Sequence, residues 1–137
     1  MGLIVVTLVR FDLRTDIDVV AARRGVSDCA QALGFSVLDR TKVVTAASEI
    51  ARNTVVHGQG GELLLEVVRD GIRDGLRLTF NDAGPGIADM TLALEDGYST
   101  GGGMGLGLPG ARRLVHEFEL ASTVGTGTRV TLVRWKP

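Results

Sequence analysis

The chain has 137 residues, enough to bury the core of one domain and too few for two. A formal net charge of −1, from 15 basic and 16 acidic residues, disfavours a protein that binds nucleic-acid phosphates. One cysteine and two histidines exclude an internal disulfide and a zinc-ligand set, and no apolar run approaches the ~20 residues that a bilayer needs. With no secretion signal recognisable at the N-terminus, we expect one cytoplasmic domain, residues 1–137, without nucleic-acid or membrane partners.

The first quarter of the chain predicts a strand and a helix. Residues Gly2–Arg10 are rich in Val, Leu and Ile and precede a polar break, which is typical of a strand at or near a sheet edge. From Thr15 to Leu33 apolar residues recur at helical spacing, with Thr15 or Asp16 as N-cap and Gly34 as C-terminal stop. The residues predicted to face the core from this helix are Ile17, Val20, Ala21, Val26, Ala30 and Leu33.

A second and longer helix is predicted over Val37–His57, opened by Ser36 and closed by Gly58. Its predicted buried stripe is Val43, Ala47, Ile50 and Thr54. Two strand-like runs follow, Glu62–Arg69 and Leu76–Asn81, and the Asp-Gly pairs between them favour a hairpin turn. We therefore expect these two strands to be antiparallel neighbours.

The rest of the chain predicts a long glycine-rich loop, a third helix from Pro109 to about Phe118, and a final hairpin. The strands of that hairpin are predicted over Leu120–Val124 and Arg129–Trp135. This order of elements favours an α+β fold, a two-layer α/β sandwich in which helices pack on one face of a mixed sheet.

Glu49 and Asn53 on the second predicted helix suit a magnesium nucleotide. They are four residues apart, so they project from the same side of the helix, roughly 40° apart around its axis. An amide oxygen can occupy a metal position while a carboxylate orients or deprotonates a hydroxyl. A solvated polar face is the alternative, and taken alone this pair favours it.

Asp82 directly follows a predicted strand, where its side chain can reach a pocket. An aspartate in that place can accept a hydrogen bond from an exocyclic amine. Gly84 and Gly86, which follow within the sequence Asp-Ala-Gly-Pro-Gly-Ile, allow a tight turn and the close approach of a flat base. An ordinary Asp-Gly-Pro turn explains these residues equally well.

Glycines are densest just before the third helix, where residues 101–108 read Gly-Gly-Gly-Met-Gly-Leu-Gly-Leu. Successive glycine N–H groups can face a phosphate, and the helix that follows adds the positive end of its dipole. No Gly-Lys-Ser/Thr occurs, which excludes a P-loop. Gly105, Gly107 and Gly110 follow a loop rather than a strand, unlike the glycines of a dinucleotide-binding motif. These residues therefore favour a phosphate-binding loop.

Taken together and in this order, the three segments resemble one family. Glu49–Asn53, Asp82–Ile87 and Gly103–Leu108 resemble the N, G1 and G2 boxes of the GHKL ATPases, which have the Bergerat fold, and Gly127-Thr128 resembles their threonine box. Within that superfamily nearly the whole chain is similar to the anti-sigma-factor serine/threonine kinases. The most similar stretch runs from Glu95 to Leu114.

The resemblance implies ATP and Mg²⁺ as cofactors and gives each motif residue a role. Glu49 would activate the acceptor hydroxyl, Asn53 would hold Mg²⁺ between the phosphates, and Asp82 would bind the adenine amine. Thr128 would support Asp82, while Gly84 and Gly86 would shape the base pocket. The loop residues implied to contact the nucleotide are Gly103, Met104, Gly105, Leu106 and Gly107, and the segment Gly97–Gly103 would form a lid.

The resemblance also implies partners. The acceptor would be a serine or threonine of a STAS-domain scaffold or antagonist protein in a stress-response (stressosome) partner-switching pathway, and a PP2C-type phosphatase would be a second partner. Two other functions stay open: an anti-sigma factor that sequesters a transcription factor as well as phosphorylating an antagonist, and a nucleotide-gated binding module without catalysis. Glu49 argues against the binding module, because binding alone needs no base. The sequence does not determine the oligomeric state.

Overall fold

A computed structural model of the chain describes residues 2–87, 94 and 107–137. Within these residues it contains five strands and three helices. The strands are β1 (Ile4–Leu13), β2 (Gly61–Asp70), β3 (Arg73–Asp82), β4 (Glu117–Thr123) and β5 (Gly127–Trp135), and the helices are α1 (Asp16–Leu33), α2 (Val37–Val56) and α3 (Leu108–Arg113).

The strands form one sheet in the order β1-β2-β3-β5-β4. β1 is an edge strand, as predicted, and the two predicted hairpins are present as β2-β3 and β4-β5. The expectation of a mixed sheet is wrong for the described residues, because all four strand pairs are antiparallel. Two helices connect β1 to β2, and such a pair returns the chain in the direction opposite to the first strand. The two-layer sandwich itself is confirmed.

The helical layer packs on one face of the sheet through α1 and α2, and their buried residues form a common core with the strands. In α2 the predicted stripe of Val43, Ala47, Ile50 and Thr54 is buried. Ser36 caps this helix by accepting the N–H of Asp39 at 3.1 Å. The sequence therefore predicted correctly both the start of α2 and the face that it buries.

The predicted core face of α1 is partly wrong. Ile17 and Val20 are 80% and 65% exposed, while the buried residues of α1 are Val19, Ala22, Val26 and Ala30. The helix lies against β1 at Gly25, where an added Cβ would collide with the ring of Phe11. The side of α1 that includes Gly25 therefore faces the sheet, and the side that carries Ile17 and Val20 faces solvent.

The predicted third helix is shorter than expected. α3 ends at Arg113, and β4 already begins at Glu117. The apolar residues Phe118 and Leu120 pack against the core in strand periodicity, whereas the intervening Glu119 is exposed. Among the described helices, none is long and apolar enough to cross a membrane.

Candidate functional site

Helix α2 presents Glu49 and Asn53 one turn apart at its C-terminal half. Glu49 is exposed, while Asn53 is only 8% exposed. The side-chain oxygen Oδ1 of Asn53 is buried and has no hydrogen-bond partner among the described residues. Because an unsatisfied buried amide oxygen costs free energy, native proteins keep one mainly where a ligand or ion binds it. Asn53 therefore has the environment of a ligand-binding residue rather than of a solvated polar face.

Asp82, the last residue of β3, is held in one orientation by backbone donors. Its Oδ1 accepts the N–H groups of Gly84 at 2.9 Å and Thr128 at 3.2 Å. Its other oxygen, Oδ2, faces Gly58 just after α2, where an added Cβ would collide with the carboxylate. The carboxylate is thus fixed through one oxygen, and the second oxygen points towards the end of α2.

The glycines that follow Asp82 allow backbone segments to pack closely. A Cβ on Gly84 would lie 2.6 Å from the carbonyl oxygen of Gly58, which no side chain tolerates. Gly86 adopts φ +78° and lies against the backbone of Thr123 in β4. The turn after β3 therefore depends on glycine at both predicted positions.

Thr128 extends this arrangement onto the next strand, opposite Asp82 in the β3-β5 register. It is buried, and its hydroxyl lies 2.9 Å from that of Ser122 on β4. Ser122 also accepts the N–H of Ile87 at 2.7 Å. Sequence reasoning missed Ser122, because a serine near a strand end gives no sign of which face it occupies until the register is known.

The glycine-rich loop is described only at its end. Gly107 has φ +72° and forms the N-cap of α3, with Pro109 in the first turn. A Cβ on Gly107 would lie 2.7 Å from Oε2 of Glu49, so the last glycine of the loop packs directly on the helix α2 carboxylate. Gly103, Met104, Gly105 and Leu106, together with the predicted lid, lie outside the described residues.

The C-terminal end of α2 lies beside Asp82 on β3 and its partner Thr128 on β5. Gly58 donates its N–H to the backbone carbonyl of Asn53 and contacts the carboxylate of Asp82. Glu49 lies one turn before Asn53 on the same helix. Among the described residues no group of three or more His, Cys, Asp or Glu side chains forms a metal cluster. Mg²⁺ is commonly held by only one or two protein oxygens together with phosphate oxygens and waters. The free Oδ1 of Asn53 fits such a site, in which the nucleotide supplies most ligands.

Known proteins are similar to this chain in sequence and in fold. Residues 38–137 match the family described as histidine kinase-, DNA gyrase B- and HSP90-like ATPases. The chain is 42% identical over 123 residues to the serine/threonine-protein kinase RsbT of Bacillus subtilis, covering 90% of this chain and 92% of the relative. A crystal structure of the RsbU and RsbW domains of Rv1364c from Mycobacterium tuberculosis superposes with a TM-score of 0.66 at 21% identity, over 96% of this chain and 33% of that one.

The structural match supports the fold, and the family match covers both α2 and the sheet residues of the site. The resemblance of the sequence motifs to the GHKL ATPases is confirmed by these comparisons. The chain belongs to the family of histidine kinase-, DNA gyrase B- and HSP90-like ATPases.

Proposed function

We propose that this protein is a serine/threonine protein kinase that transfers the γ-phosphate of ATP to a STAS-domain protein in a stress-response partner-switching pathway. The observation that carries the proposal is the pairing of an exposed carboxylate, Glu49, with the buried oxygen of Asn53 one turn further along α2, which has no hydrogen-bond partner in the part of the chain that the structure describes. A site that only binds nucleotide has no need of the carboxylate. The similarity to a serine/threonine-protein kinase over 90% of the chain supports the same conclusion.

In the proposed mechanism Asp82 and Thr128 bind the adenine and set the position of the nucleotide. The Oδ2 atom of Asp82 accepts the exocyclic amine, since its Oδ1 atom is already used by two backbone donors. Asn53 would hold Mg²⁺ through Oδ1, and the ion would supply positive charge against the phosphates. Glycines 103, 105 and 107 are the proposed phosphate-binding residues, and the first two lie outside the described residues.

Glu49 acts as the general base in this mechanism. Its carboxylate is exposed, so the hydroxyl of a partner protein can come within hydrogen-bond distance and give up its proton as the phosphoryl group is transferred. Gly107, the last glycine of the proposed phosphate loop, packs against this carboxylate, which supports a base adjacent to the transferring group. Phosphoryl transfer leaves little covalent chemistry to the protein, and such positioning accounts for most of the catalysis.

The partners follow from the family resemblance and from the similarity to RsbT. We propose a STAS-domain scaffold or antagonist as the phosphate acceptor and a PP2C-type phosphatase as a second partner that the free kinase activates. A kinase of this kind uses the ATP pool of the cytoplasm, and we place it there.

The direct experiment is incubation of the purified protein with Mg-ATP and candidate STAS-domain proteins, followed by intact mass measurement. The proposal predicts the addition of one phosphate to the acceptor. ATP binding without transfer to any of these proteins would favour the nucleotide-gated binding module. Capture of a sigma factor by the protein would identify the anti-sigma factor that the family also includes.

A further inference from the structure

Three side chains form a continuous row across adjacent strands at the nucleotide end of the sheet. Asp82 on β3 pairs with Thr128 on β5, and Thr128 pairs with Ser122 on β4. Residues that face each other across antiparallel strands project from the same side of the sheet, so all three lie on the face that carries the helices. We call Asp82, Thr128 and Ser122 the polar row.

The contacts of Ser122 determine which hydroxyl in the polar row donates. Ser122 Oγ accepts the N–H of Ile87 at 2.7 Å and lies 3.1 Å from the carbonyl oxygen of Gly127. A serine has one proton and two lone pairs, and a carbonyl can only accept. The proton of Ser122 therefore goes to Gly127, one lone pair is used by Ile87, and the other is left for Thr128.

The 2.9 Å contact between the two hydroxyls allows either one to donate, and donation by Thr128 is the arrangement that keeps both other bonds of Ser122. If Thr128 accepted instead, Ser122 would lose its bond to the Gly127 carbonyl, and Ser122 would keep an unused lone pair in a half-buried position. With its proton committed to Ser122, the Thr128 hydroxyl presents only lone pairs on its remaining side. Asp82 beside it is a carboxylate, which also presents only lone pairs.

We infer that Ser122 is a positioning residue for nucleobase specificity, which holds the proton of Thr128 so that the polar row offers acceptors alone to the base. Adenine places an amine, a double donor, opposite this row, and the second amine proton can reach Thr128 directly or through one water. Guanine places a carbonyl oxygen at the same position and meets lone pairs. The inference rests on the proposed ATP site and adds to it the origin of adenine selectivity.

The test compares the affinities of ADP and GDP by isothermal titration calorimetry. In Ser122→Ala the proton of Thr128 is free to turn towards an acceptor, and the ratio of GDP to ADP dissociation constants should fall about fivefold, the equilibrium factor of one neutral hydrogen bond. Ser122→Thr, which keeps the hydroxyl, should restore the wild-type ratio. Thr123→Ala, an exposed hydroxyl one residue further along β4, is the matched control and should leave the ratio unchanged.

A double-mutant cycle shows whether Ser122 acts through Thr128. In a Thr128→Val background, Ser122→Ala should not alter the GDP to ADP ratio further. An equal loss of affinity for both nucleotides in Ser122→Ala, or an unchanged ratio, would overturn the inference. If Ser122→Ala does not fold, Ser122→Cys, whose thiol is a weak acceptor, carries the test and should lower the ratio partway.

Failure of the underlying proposal gives a different result. A wild-type protein that binds neither ADP nor ATP would refute the nucleotide site itself. A wild-type protein that prefers ADP, with a ratio that does not respond to Ser122→Ala, would leave the ATP site standing and remove only the role of Ser122.

Discussion

Strand β5 carries a polar cluster on its helix-facing side near each end, and the two clusters differ in where their polar atoms point. At one end Thr128 belongs to the polar row, in which the Oδ2 atom of Asp82 faces the end of α2. At the other end Arg134 is buried, and its Nη groups donate to the carboxylate of Asp39 and to the carbonyl oxygen of Leu114. We call Arg134, Asp39 and Leu114 the Arg134 cluster.

The two ends of β5 therefore differ in function: the polar row suits ligand binding, and the Arg134 cluster stabilises the fold. In the Arg134 cluster the two charges compensate each other, and the Nη groups of the arginine join β5 to the first turn of α2 and to the segment after α3. Its Nε is buried without a hydrogen-bond partner among the described residues. Hydrogen bonding to Arg134 holds the pKa of Asp39 below its usual range. In the polar row Ser122 is fully used by its neighbours, whereas the Oδ2 atom of Asp82 and the remaining side of the Thr128 hydroxyl are left to accept hydrogen bonds from a ligand. The charge of Arg134 is thus paired with a carboxylate of the protein, whereas the unused lone pairs of the polar row can bind a ligand.

Arg134→Met is expected to have the largest effect on stability. The substitution leaves the carboxylate of Asp39 without its partner and should lower the free energy of unfolding by about 2–4 kcal/mol. Urea denaturation measures this loss, with Arg129→Met, an exposed arginine of the same strand, as control. The folded protein should bind ADP within a factor of two of wild type. Normal stability with impaired ADP binding would mean that the two ends of β5 have been assigned the wrong way round.

Asn53→Ala is expected to have a smaller effect and to act only when Mg²⁺ is present. Loss of the amide oxygen should weaken binding of Mg-ADP about tenfold, as for a lost bond to a charged group. In EDTA the affinity for ADP should stay within a factor of two. Titration calorimetry in both buffers measures this, and Thr45→Ala on an exposed position of α2 is the control. An equal loss with and without Mg²⁺ would exclude Asn53 as the metal ligand.

The smallest expected effect concerns His116, next to the Arg134 cluster. Its Nδ1 accepts the backbone N–H of Trp135 at 2.8 Å, so protonation of Nδ1 breaks that hydrogen bond. Burial lowers the pKa of His116, the charges of Arg134 and Arg73 lower it further, and Asp39 and Glu117 partly oppose them.

The unfolded chain therefore binds the proton first as pH falls below the ordinary histidine value of about 6.5. The contribution of neutral His116 to the free energy of unfolding should be fully present above that pH. It should decline as the pH falls from that value towards the lowered pKa of the folded state. Thermal unfolding between pH 7.5 and 5.5 measures the decline. In His116→Asn the Oδ1 atom can accept the backbone N–H of Trp135 without titrating, so the thermal stability of this variant should fall less over the same pH range. An identical pH dependence in both proteins would remove His116 from this account.

Much of the site could be predicted because its residues occupy positions that local patterns define. Asp82 directly follows a run with strand composition, and Glu49 and Asn53 have helical spacing, so their elements could be predicted without knowledge of the tertiary structure. Their roles in binding and catalysis stay predictions. The start of α2 at its Ser36 cap and both hairpins could be predicted as well, because capping and turn residues are local in the sequence.

What the sequence could not determine depends on packing between elements. Helix α1 has two apolar stripes at helical spacing, and its packing on the core, including the close approach of Gly25 to Phe11, buries Val19 rather than Val20. Ser122 joins the site only through the register of β4 against β5. Such choices rest on contacts between residues far apart in sequence, which local periodicity does not contain.

The most direct test of the central claim is the rate of phosphate transfer from Mg-ATP to a STAS-domain acceptor by Glu49→Gln, measured beside its affinity for ADP. With Glu49 as general base the rate should fall about 10²- to 10⁴-fold, while ADP binds within a factor of two of wild type. Glu119→Gln, an exposed glutamate of β4, should transfer phosphate normally. Transfer at the wild-type rate by Glu49→Gln would contradict the account.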